Sequence, residues 1–258
     1  MLKIVNGITY YSSPKLEGIQ GTVHAFLGRT GGVSSGHLAS LNLGRREEDR
    51  PENLAENKKR VAKAFGTDAD KIFTVSQVHS DRIVIIDRTD TAPEDVKPFE
   101  ADAIITDTKG ISIGILTADC VPLLFLDSRN KVMAAVHAGW KGTASKIASK
   151  TVKMMIERFD SRPQEIRAAI GPAIGACCYE VGPEVVDAVG YRGNASVQRE
   201  GKWYLDLPRA NLLQLQEMGI ADIDVSGICT SCRTDLFFSH RKEMGRTGRQ
   251  LSFISLGV

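Results

Sequence analysis

The sequence has almost no net charge. Its 33 Lys and Arg residues and 31 Asp and Glu residues leave a formal charge of +2. This balance gives no electrostatic basis for binding nucleic acid or an anionic membrane surface. A small anionic substrate needs only a few local cations, so that class stays open. We therefore expect small-molecule partners, with no nucleic acid and no membrane.

Long apolar runs and paired cysteines are also lacking. The most apolar segment, ISIGILTADCVPLLFLD at 111–127, contains Asp119 and Pro122, which favours buried strands over a membrane span. The apolar stretch after the first lysine is too short for an export signal. Five cysteines cannot all pair within one chain. We expect reduced cysteines and a cytoplasmic location.

Histidine is scarce as well, with five residues at positions 24, 37, 79, 137 and 240. An oxidase with a blue copper and a three-copper cluster needs about ten, because imidazole is the favoured ligand of such copper. At most weak phenol oxidation at one copper-loaded site is expected. The zinc-protease, Walker A, nucleophile-elbow and nucleobase-deaminase signatures are missing too.

The pattern of apolar segments predicts a mixture of strands and helices. No repeat or linker divides the 258 residues, so we expect one domain spanning 1–258. Helices are predicted at 51–65, at 144–159 as one amphipathic segment, and at 208–218. Strands are predicted for TVHAFLG, IFTVSQVH, RIVIID, ADAIITD, ISIGILTAD, VPLLFLD, KVMAAVHAG, RAAIG and LSFISL. Without strict βαβ alternation, this indicates an α/β (α+β) fold, a single-domain layered sandwich of mixed β-sheets with flanking helices.

Three residues at the ends of predicted strands carry metal-binding side chains: His79 in QVHS, Cys120 in TADC and His137 in VHAGW. Two histidines and a cysteine suit a catalytic zinc, which keeps a fourth position open. Loops at strand ends are common places for active sites. However, the spacing matches no short zinc motif, and a buried cysteine with satisfied core histidines is the alternative. Spacing alone leaves both interpretations open.

The other cysteines give a weaker pattern. Cys229 and Cys232 form a CxxC pair, and the adjacent Cys177 and Cys178 could complete a set of four sulfurs. Vicinal cysteines rarely ligate one metal well, and no second CxxC follows. A role in packing or in a loop is therefore favoured for all four.

Motifs along most of the chain resemble one family. They are FLGRTGGVSSG, LNLG, QVHSDRIVIID, TADCVPLLFLD, AAVHAGWKGTASKI, IGPAIGACCYEVGPEV and SHRKEMGRTGRQ. The chain resembles, over about residues 22–256, the bacterial laccase-domain (YfiH-like) family, formerly called multicopper polyphenol oxidases. The resemblance implies a metal centre of His79, Cys120 and His137 that is also catalytic, holding zinc, with copper possible. It also implies a fold related to the catalytic domain of cytotoxic necrotizing factor.

The resemblance further implies a purine nucleoside phosphorylase that also deaminates adenosine. Such an enzyme converts adenosine, inosine and methylthioadenosine with phosphate into free base and ribose 1-phosphate. Arginine suits the phosphate because its planar guanidinium binds two oxygens at once. The substrate-binding candidates are Arg29 and Arg249, in RTGG and RTGR, with Arg241 and Arg246 nearby. Asn42 in SLNLG would bind ribose or base, or would fix a turn.

Two other functions fit the same residues. In a thiol hydrolase or amidase acting on a small peptide or cell-wall precursor, Cys120 would be the nucleophile and His137 its base. A non-catalytic metal-binding protein is the third reading. Glu180, in CCYE, is either an acid/base group or an ordinary ion-pair partner.

Overall fold

The structure is a computed structural model, and it describes residues 1–44, 49–87, 92–96 and 98–257. The strands are β1 (Leu2–Val5), β2 (Ile8–Tyr11), β3 (Thr22–Leu27), β4 (Ile72–Phe73), β5 (Ile83–Ile86), β6 (Ala103–Thr106), β7 (Ser112–Thr117), β8 (Val121–Asp127), β9 (Val132–Ala138), β10 (Ile166–Ile170), β11 (Glu180–Val181), β12 (Ser196–Arg199), β13 (Lys202–Leu205), β14 (Asp222–Val225) and β15 (Gln250–Leu256). The helices are α1 (Pro51–Phe65), α2 (Pro93–Val96), α3 (Trp140–Ala144), α4 (Ile147–Phe159), α5 (Pro183–Val189) and α6 (Leu207–Glu217).

Three sheets are formed by the strands of the described residues. The first sheet has the order β1-β2-β3-β15-β7-β4, the second has the order β14-β10-β8-β9-β6-β5, and a small third sheet has the order β11-β13-β12. Both large sheets are mixed, because β4 pairs with β7, β5 with β6 and β10 with β14 in parallel, whereas β8 pairs with β9 antiparallel. The predicted mixed sheets are confirmed.

The two large sheets pack face to face. Phe26 and Ile254 of the first sheet share one buried cluster with Leu124 and Met133 of the second sheet. Alternate residues of the same strands face outward, since side chains along a strand point to opposite faces. Removing these apolar faces from water is the main force that holds the sheets together.

Helices cover the two outer faces of this pair of sheets. Phe125 of β8 packs with Val152 of α4 and Leu215 of α6 on the second sheet. On the first sheet, Val61 of α1 packs with Phe253 of β15. The result is a layered sandwich in the order helix, sheet, sheet, helix, which confirms the predicted architecture.

Residues that favour the start or the end of a helix occupy those positions in α1 and α6. α1 begins at Pro51, in the first turn, where an N–H group has no partner within the helix. It ends at Phe65, and the next residue, Gly66, has φ of 66°, the left-handed conformation that glycine tolerates best. α6 begins after Asp206, whose side chain accepts a hydrogen bond from the Arg209 N–H. Both predicted helices are confirmed.

The strand predicted to run as far as His79 is shorter in the structure, because β4 ends at Phe73. Beyond it, the Gln77 side chain takes the place of a neighbouring strand. Its Nε2 donates to the Leu116 oxygen and its Oε1 accepts from the Leu116 N–H, both at 2.7 Å. His79 itself has φ of 59°, which is not a strand conformation. The predicted ligand His79 therefore lies in a loop.

The helix predicted as one segment over 144–159 is divided into α3 and α4. Lys146 adopts the left-handed conformation, with φ of 59° and ψ of 41°, and this interrupts the hydrogen-bond ladder between the two helices. The predicted apolar stripe is nevertheless buried at Ala148, Val152 and Met155. The stripe identified the packed face but contained no signal for the break.

The apolar segment 111–127 folds as β7 and β8, which belong to different large sheets. The turn between them carries Asp119 and Cys120 from one sheet to the other. In the described residues, no helix combines the length and the apolar character needed to cross a membrane. The sequence-based expectation of buried strands in this segment is confirmed.

Candidate metal centre

The predicted ligands come together from three separate parts of the chain. Cys120 lies in the turn between β7 and β8, and His137 lies in β9 opposite Pro122 of β8. His79 reaches them from the loop after β4. The three ligand atoms lie within 4.8 Å of one another, and Cys120 Sγ is 3.8 Å from His79 Nε2. The set matches the two nitrogens and one sulfur expected of a borderline metal such as zinc.

A glycine beside the cluster leaves space for it. A Cβ atom at Gly139 would lie 3.0 Å from His79 Cδ2 and 3.1 Å from Cys120 Sγ, which is closer than most Cβ contacts. His137 is buried, Cys120 is half-buried and His79 is exposed. The cluster thus extends from the core to the surface, so its His79 side is accessible to a small molecule.

Asp102, at the start of β6, orients His137 from behind. His137 Nδ1 donates to Asp102 Oδ1 at 2.7 Å, and Asp102 has no exposed surface. Because Nδ1 is bound to Asp102, the other ring nitrogen, Nε2, is the atom that faces Cys120 and could bind a metal. Metal-binding histidines are commonly held by a carboxylate in this way, which fixes both tautomer and ring orientation.

The same carboxylate fixes the loop that carries His79. Asp102 accepts hydrogen bonds from the His79 N–H at 3.1 Å, from the Ser80 N–H at 2.6 Å and from the Ser80 hydroxyl at 2.8 Å. One buried side chain thereby couples the positions of two ligands. Sequence reasoning missed Asp102; its signal was a charged residue in ADAIITD, directly before a run of buried apolar residues.

The protonation equilibria of the cluster favour ionised partners. Burial opposes ionisation of Cys120, but the positive charge of His137 and hydrogen bonds from His137 and His79 lower the pKa of the thiol to about 6. Burial also opposes the charged form of His137, yet the Cys120 thiolate and Asp102 raise the pKa of His137. Hydrogen bonds from His137 and Ser80 overcome the burial of Asp102 and lower its pKa to about 2.

Two further loops fix the turn in front of Cys120. The Asp119 carboxylate accepts from the Thr230 hydroxyl and from the Arg241 N–H, both at 2.6 Å. The Arg241 guanidinium carbon lies 5.1 Å from the centre of the Tyr179 ring. Burial and the Cys120 charge raise the pKa of Tyr179 to about 12, against the opposing charge of Arg241. Tyr179 and Arg241 therefore lie close to the candidate ligand Cys120.

The predicted substrate-binding residue Arg29 forms hydrogen bonds with three other residues. Its Nη1 donates to Glu243 Oε1 and to the Thr234 oxygen, both at 3.0 Å, and its Nε donates to the Ala39 oxygen at 2.9 Å. The guanidinium also stacks at 4.5 Å from the Phe238 ring centre. These contacts join the N-terminal loop to the loop that leads into β15.

Asn42 and Arg249 contact each other. Asn42 is fully buried, and its side-chain oxygen accepts from the Arg249 N–H at 2.9 Å. Its amide nitrogen donates to Asp49 and to the Gly44 oxygen. Arg249 Nη1 donates to the Gly248 oxygen at 2.8 Å. The Asn42 contacts match the alternative in which this residue fixes a turn.

The structure also shows the surroundings of Glu180 and of the four cysteines other than Cys120. Glu180 forms an exposed ion pair with Lys202 at 3.1 Å, which matches the ion-pair alternative. The sulfurs of Cys177, Cys178 and Cys229 lie within 4.8 Å of one another and of Cys232, so the two cysteine pairs form one cluster, and the packing or loop role favoured for them stays a prediction. The cluster was not evident from the sequence, because the pairs Cys177–Cys178 and Cys229–Cys232 are far apart along the chain and are brought together by turns.

The layered fold and the His–Cys–His cluster define a candidate metalloenzyme. The chain belongs to the multi-copper polyphenol oxidoreductase laccase family, whose model matches residues 23–257. The family description does not change the histidine count of this chain, which has five, about half of what a multicopper oxidase needs.

Known relatives carry names of a different activity. A purine nucleoside phosphorylase of Deinococcus radiodurans is 43% identical over 237 residues, covering 90% of this chain and 88% of that protein. The purine nucleoside phosphorylase YlmD of Bacillus subtilis is 36% identical over 245 residues, covering 91% and 88%. The crystal structure of hypothetical protein YfiH from Bacillus licheniformis is similar with a TM-score of 0.91 at 34% identity, covering 99% of this chain and 98% of that one. The names of the first two support an enzymatic role.

Proposed function

We propose that this protein is a zinc-dependent purine nucleoside phosphorylase with adenosine deaminase activity. It would convert adenosine, inosine and methylthioadenosine with phosphate into free base and ribose 1-phosphate. The observation that carries the proposal is the set of three ligand atoms within 4.8 Å of one another, in a chain whose relatives are named purine nucleoside phosphorylases. The five free cysteines support a reducing, cytoplasmic location.

The donor set supports zinc as the metal. His79, Cys120 and His137 offer two imidazole nitrogens and one thiolate, and three protein ligands leave a position for substrate or water. Metal binding would require Cys120 as the thiolate and His137 as the neutral imidazole, and the contact of His137 Nδ1 with Asp102 leaves Nε2 as the coordinating atom. When bound, zinc supplies Lewis acidity, which lowers the pKa of a coordinated water. Copper also binds such ligands, and weak phenol oxidation would then follow.

The chain's own residues would orient the reactants. Asp102 would hold the proton on His137 Nδ1, so His137 would present the same nitrogen, Nε2, throughout the reaction. Arg241 is a proposed phosphate-binding residue, because its backbone N–H donates to Asp119, the residue before Cys120. Arg249 would contribute a second guanidinium. We propose that Asn42 acts by holding the Arg249 backbone.

Arg29 would hold the loop around Glu243 in place through their ion pair at 3.0 Å. That loop, at 239–247, also contains Arg241. The ion pair would therefore help to position Arg241 for its proposed contact with phosphate, although Arg29 itself would not touch the phosphate. A planar guanidinium can bind two phosphate oxygens, and the stacking of Arg241 on Tyr179 would limit its motion. Both effects favour an oriented phosphate next to the nucleoside.

Replacing Arg241 by alanine is expected to raise the phosphate concentration needed for half-maximal rate by about 10- to 100-fold, since a hydrogen bond to a charged group contributes about 1.5–3 kcal/mol. The KM for inosine should change little. The measurement is ribose 1-phosphate formation at varied phosphate and fixed inosine, with Arg249→Ala tested in parallel.

Arg158→Ala is the matched control for this experiment, because Arg158 is exposed near the end of α4 and its loss removes the same charge. It should leave both KM values unchanged. Base release at an equal rate in phosphate-free buffer would contradict the phosphorylase and indicate a hydrolase.

A thiol hydrolase or amidase is the second candidate function. The observation that favours it is the chain of contacts from Cys120 to His137 and on to Asp102, which resembles the nucleophile, base and orienting residue of such enzymes. The proposed relation to cytotoxic necrotizing factor is consistent with it. The substrate would be a small peptide or a cell-wall precursor.

Alkylation of Cys120 separates the two functions. A zinc-bound thiolate is expected to resist iodoacetamide until a chelator removes the metal, because the metal occupies the sulfur lone pair needed for attack. Peptide mass spectrometry would measure the labelling of Cys120 before and after chelation. Rapid labelling of the metal-loaded protein, with parallel loss of activity, would favour the hydrolase over the phosphorylase.

A further inference from the structure

Four cysteines gather on two loops outside the catalytic centre. The sulfurs of Cys177 and Cys178 lie 3.5 Å and 3.4 Å from the Cys232 sulfur, and with Cys229 all four lie within 4.8 Å of one another. Zinc–sulfur bonds of about 2.3 Å in a tetrahedron place the sulfurs about 3.8 Å apart. The separations of 3.5 Å and 3.4 Å are slightly shorter than this value and no pair of the four is farther apart than 4.8 Å, so modest side-chain shifts would complete the tetrahedron.

Packing does not account for these residues. Cysteine is among the residue types most often buried, whereas Cys177 and Cys232 are exposed and Cys178 and Cys229 are half-buried. Disulfide bonding does not account for them either, because all four are free and a disulfide needs sulfurs about 2.05 Å apart. Four thiols that lie within 4.8 Å of one another, two of them exposed and two half-buried, are typical of a metal-binding set.

The two loops are held together by their backbones. Ala173 forms an isolated parallel bridge with Cys229, and the Thr230 N–H donates to the Ala173 oxygen at 3.1 Å. The Gly175 N–H donates to Cys229 Sγ at 3.3 Å. A hydrogen bond from a backbone N–H stabilises a thiolate, as zinc binding requires. The frame that carries the sulfurs is thus in place.

A nearby cation reduces the charge of such a site. Four thiolates around Zn²⁺ carry a net charge of about −2. Arg199 Nη2 donates to the oxygen of Ala176 at 2.9 Å, which places a guanidinium next to the residue that precedes Cys177. Attraction between this guanidinium and the thiolates would favour metal binding.

We propose that Cys177, Cys178, Cys229 and Cys232 form a second metal site, a closed four-thiolate zinc site with a structural role. The site goes beyond the proposed activity and does not depend on it. Thr230, inside the CxxC pair, hydrogen bonds to Asp119 next to Cys120. A zinc ion here would hold the two loops that frame the catalytic centre.

Zinc counting tests the second site through a difference between variants. Cys232→Ser is expected to bind about one zinc per chain fewer than the unmodified protein and to melt at a lower temperature, because a three-thiolate remnant holds metal weakly. Ser231→Ala, within the same CxxC turn, should keep the full zinc content. Cys120→Ser should lose a different zinc, so the losses should add in the double variant.

A second measurement covers the case in which Cys232→Ser does not fold. Titrating the native unmodified protein with a mercurial reagent should release about one zinc as the four exposed-site thiols react, detected with a coloured chelator. Unchanged zinc content in folded Cys232→Ser would overturn the site. An intact mass about 2 or 4 Da below that of the reduced chain would show one or two disulfides and would also overturn the site. Finding iron in place of zinc would overturn it as well.

Discussion

Replacing Cys120 or His137 by alanine is expected to remove the metal of the catalytic centre and to bring phosphorolysis and deamination below detection. Each variant leaves two of the three ligands that lie within 4.8 Å of one another, and two protein ligands do not complete a zinc site. In His137→Ala the buried Asp102 also loses its 2.7 Å partner, which adds a stability cost because a buried charge is left with fewer contacts. Cys120→Ala is therefore the cleaner variant.

Metal content and activity must be measured on the same samples. His37→Ala is the control, since it also removes an imidazole but leaves the cluster intact; zinc content and turnover should stay at the level of the unmodified protein. If Cys120→Ala and His137→Ala both keep their full metal content, the ligand assignment is wrong. If they lose the metal but keep their turnover, the metal has no part in the reaction.

The Asp102→Asn variant is expected to bind zinc about 10- to 100-fold more weakly, the usual effect of removing a carboxylate behind a metal-binding histidine. Asparagine has the same shape, but its NH₂ group would face donors at His137, His79 or Ser80, all of which now donate to the carboxylate. Both the tautomer of His137 and the loop carrying His79 would lose their support. Competition with a chelator of known affinity gives the zinc Kd.

Ser80→Ala is the matched control, because it removes the hydroxyl contacts to Asp102 at 2.8 Å and to the Arg82 N–H at 3.2 Å and leaves the carboxylate in place. Its zinc affinity should fall much less. A zinc Kd for Asp102→Asn equal to that of the unmodified protein would show that the carboxylate does not orient the ligands. Thermal melts of both variants separate this effect from general unfolding.

The layers of the fold were predictable because the signals are local. Apolar strands, the first-turn Pro51 and the αL Gly66 specify β3, β6 to β9, β15 and helix α1 without reference to distant residues. The end of β4 was not predictable, because it depends on the Gln77 side chain meeting Leu116, a contact across 39 positions. The break at Lys146 likewise follows from packing that the apolar stripe does not encode.

The metal centre was predictable only in part. Residue types suggested His79, Cys120 and His137, but spacing could not join them, and the family resemblance did so. Asp102 was missed because a single aspartate before a strand is most often a solvated turn residue. The four-cysteine cluster was set aside because the sequence cannot show that a bridge between Ala173 and Cys229 brings the two pairs together.

For the substrate-binding candidates, the sequence motifs identify residues but do not give their contacts. The motifs single out Arg29 and Asn42, whose side chains form hydrogen bonds with Glu243 and Arg249, and their part in substrate binding stays a prediction. The backbone of Arg241 contacts Asp119, beside the candidate ligand Cys120, and the motifs do not indicate this contact. Motif membership marks residues that matter, but it does not distinguish those that contact a substrate from those that position others.

Restoration of activity by metal tests the central claim most directly. The protein is stripped with a chelator, and ribose 1-phosphate formation from inosine is followed while zinc is added back in the presence of phosphate. We expect no turnover in the stripped protein and a rise to full activity as the His79–Cys120–His137 site fills, with Cys120→Ala inactive at every zinc concentration. Full activity in the stripped protein, or no ribose 1-phosphate at any zinc level, would contradict the assignment.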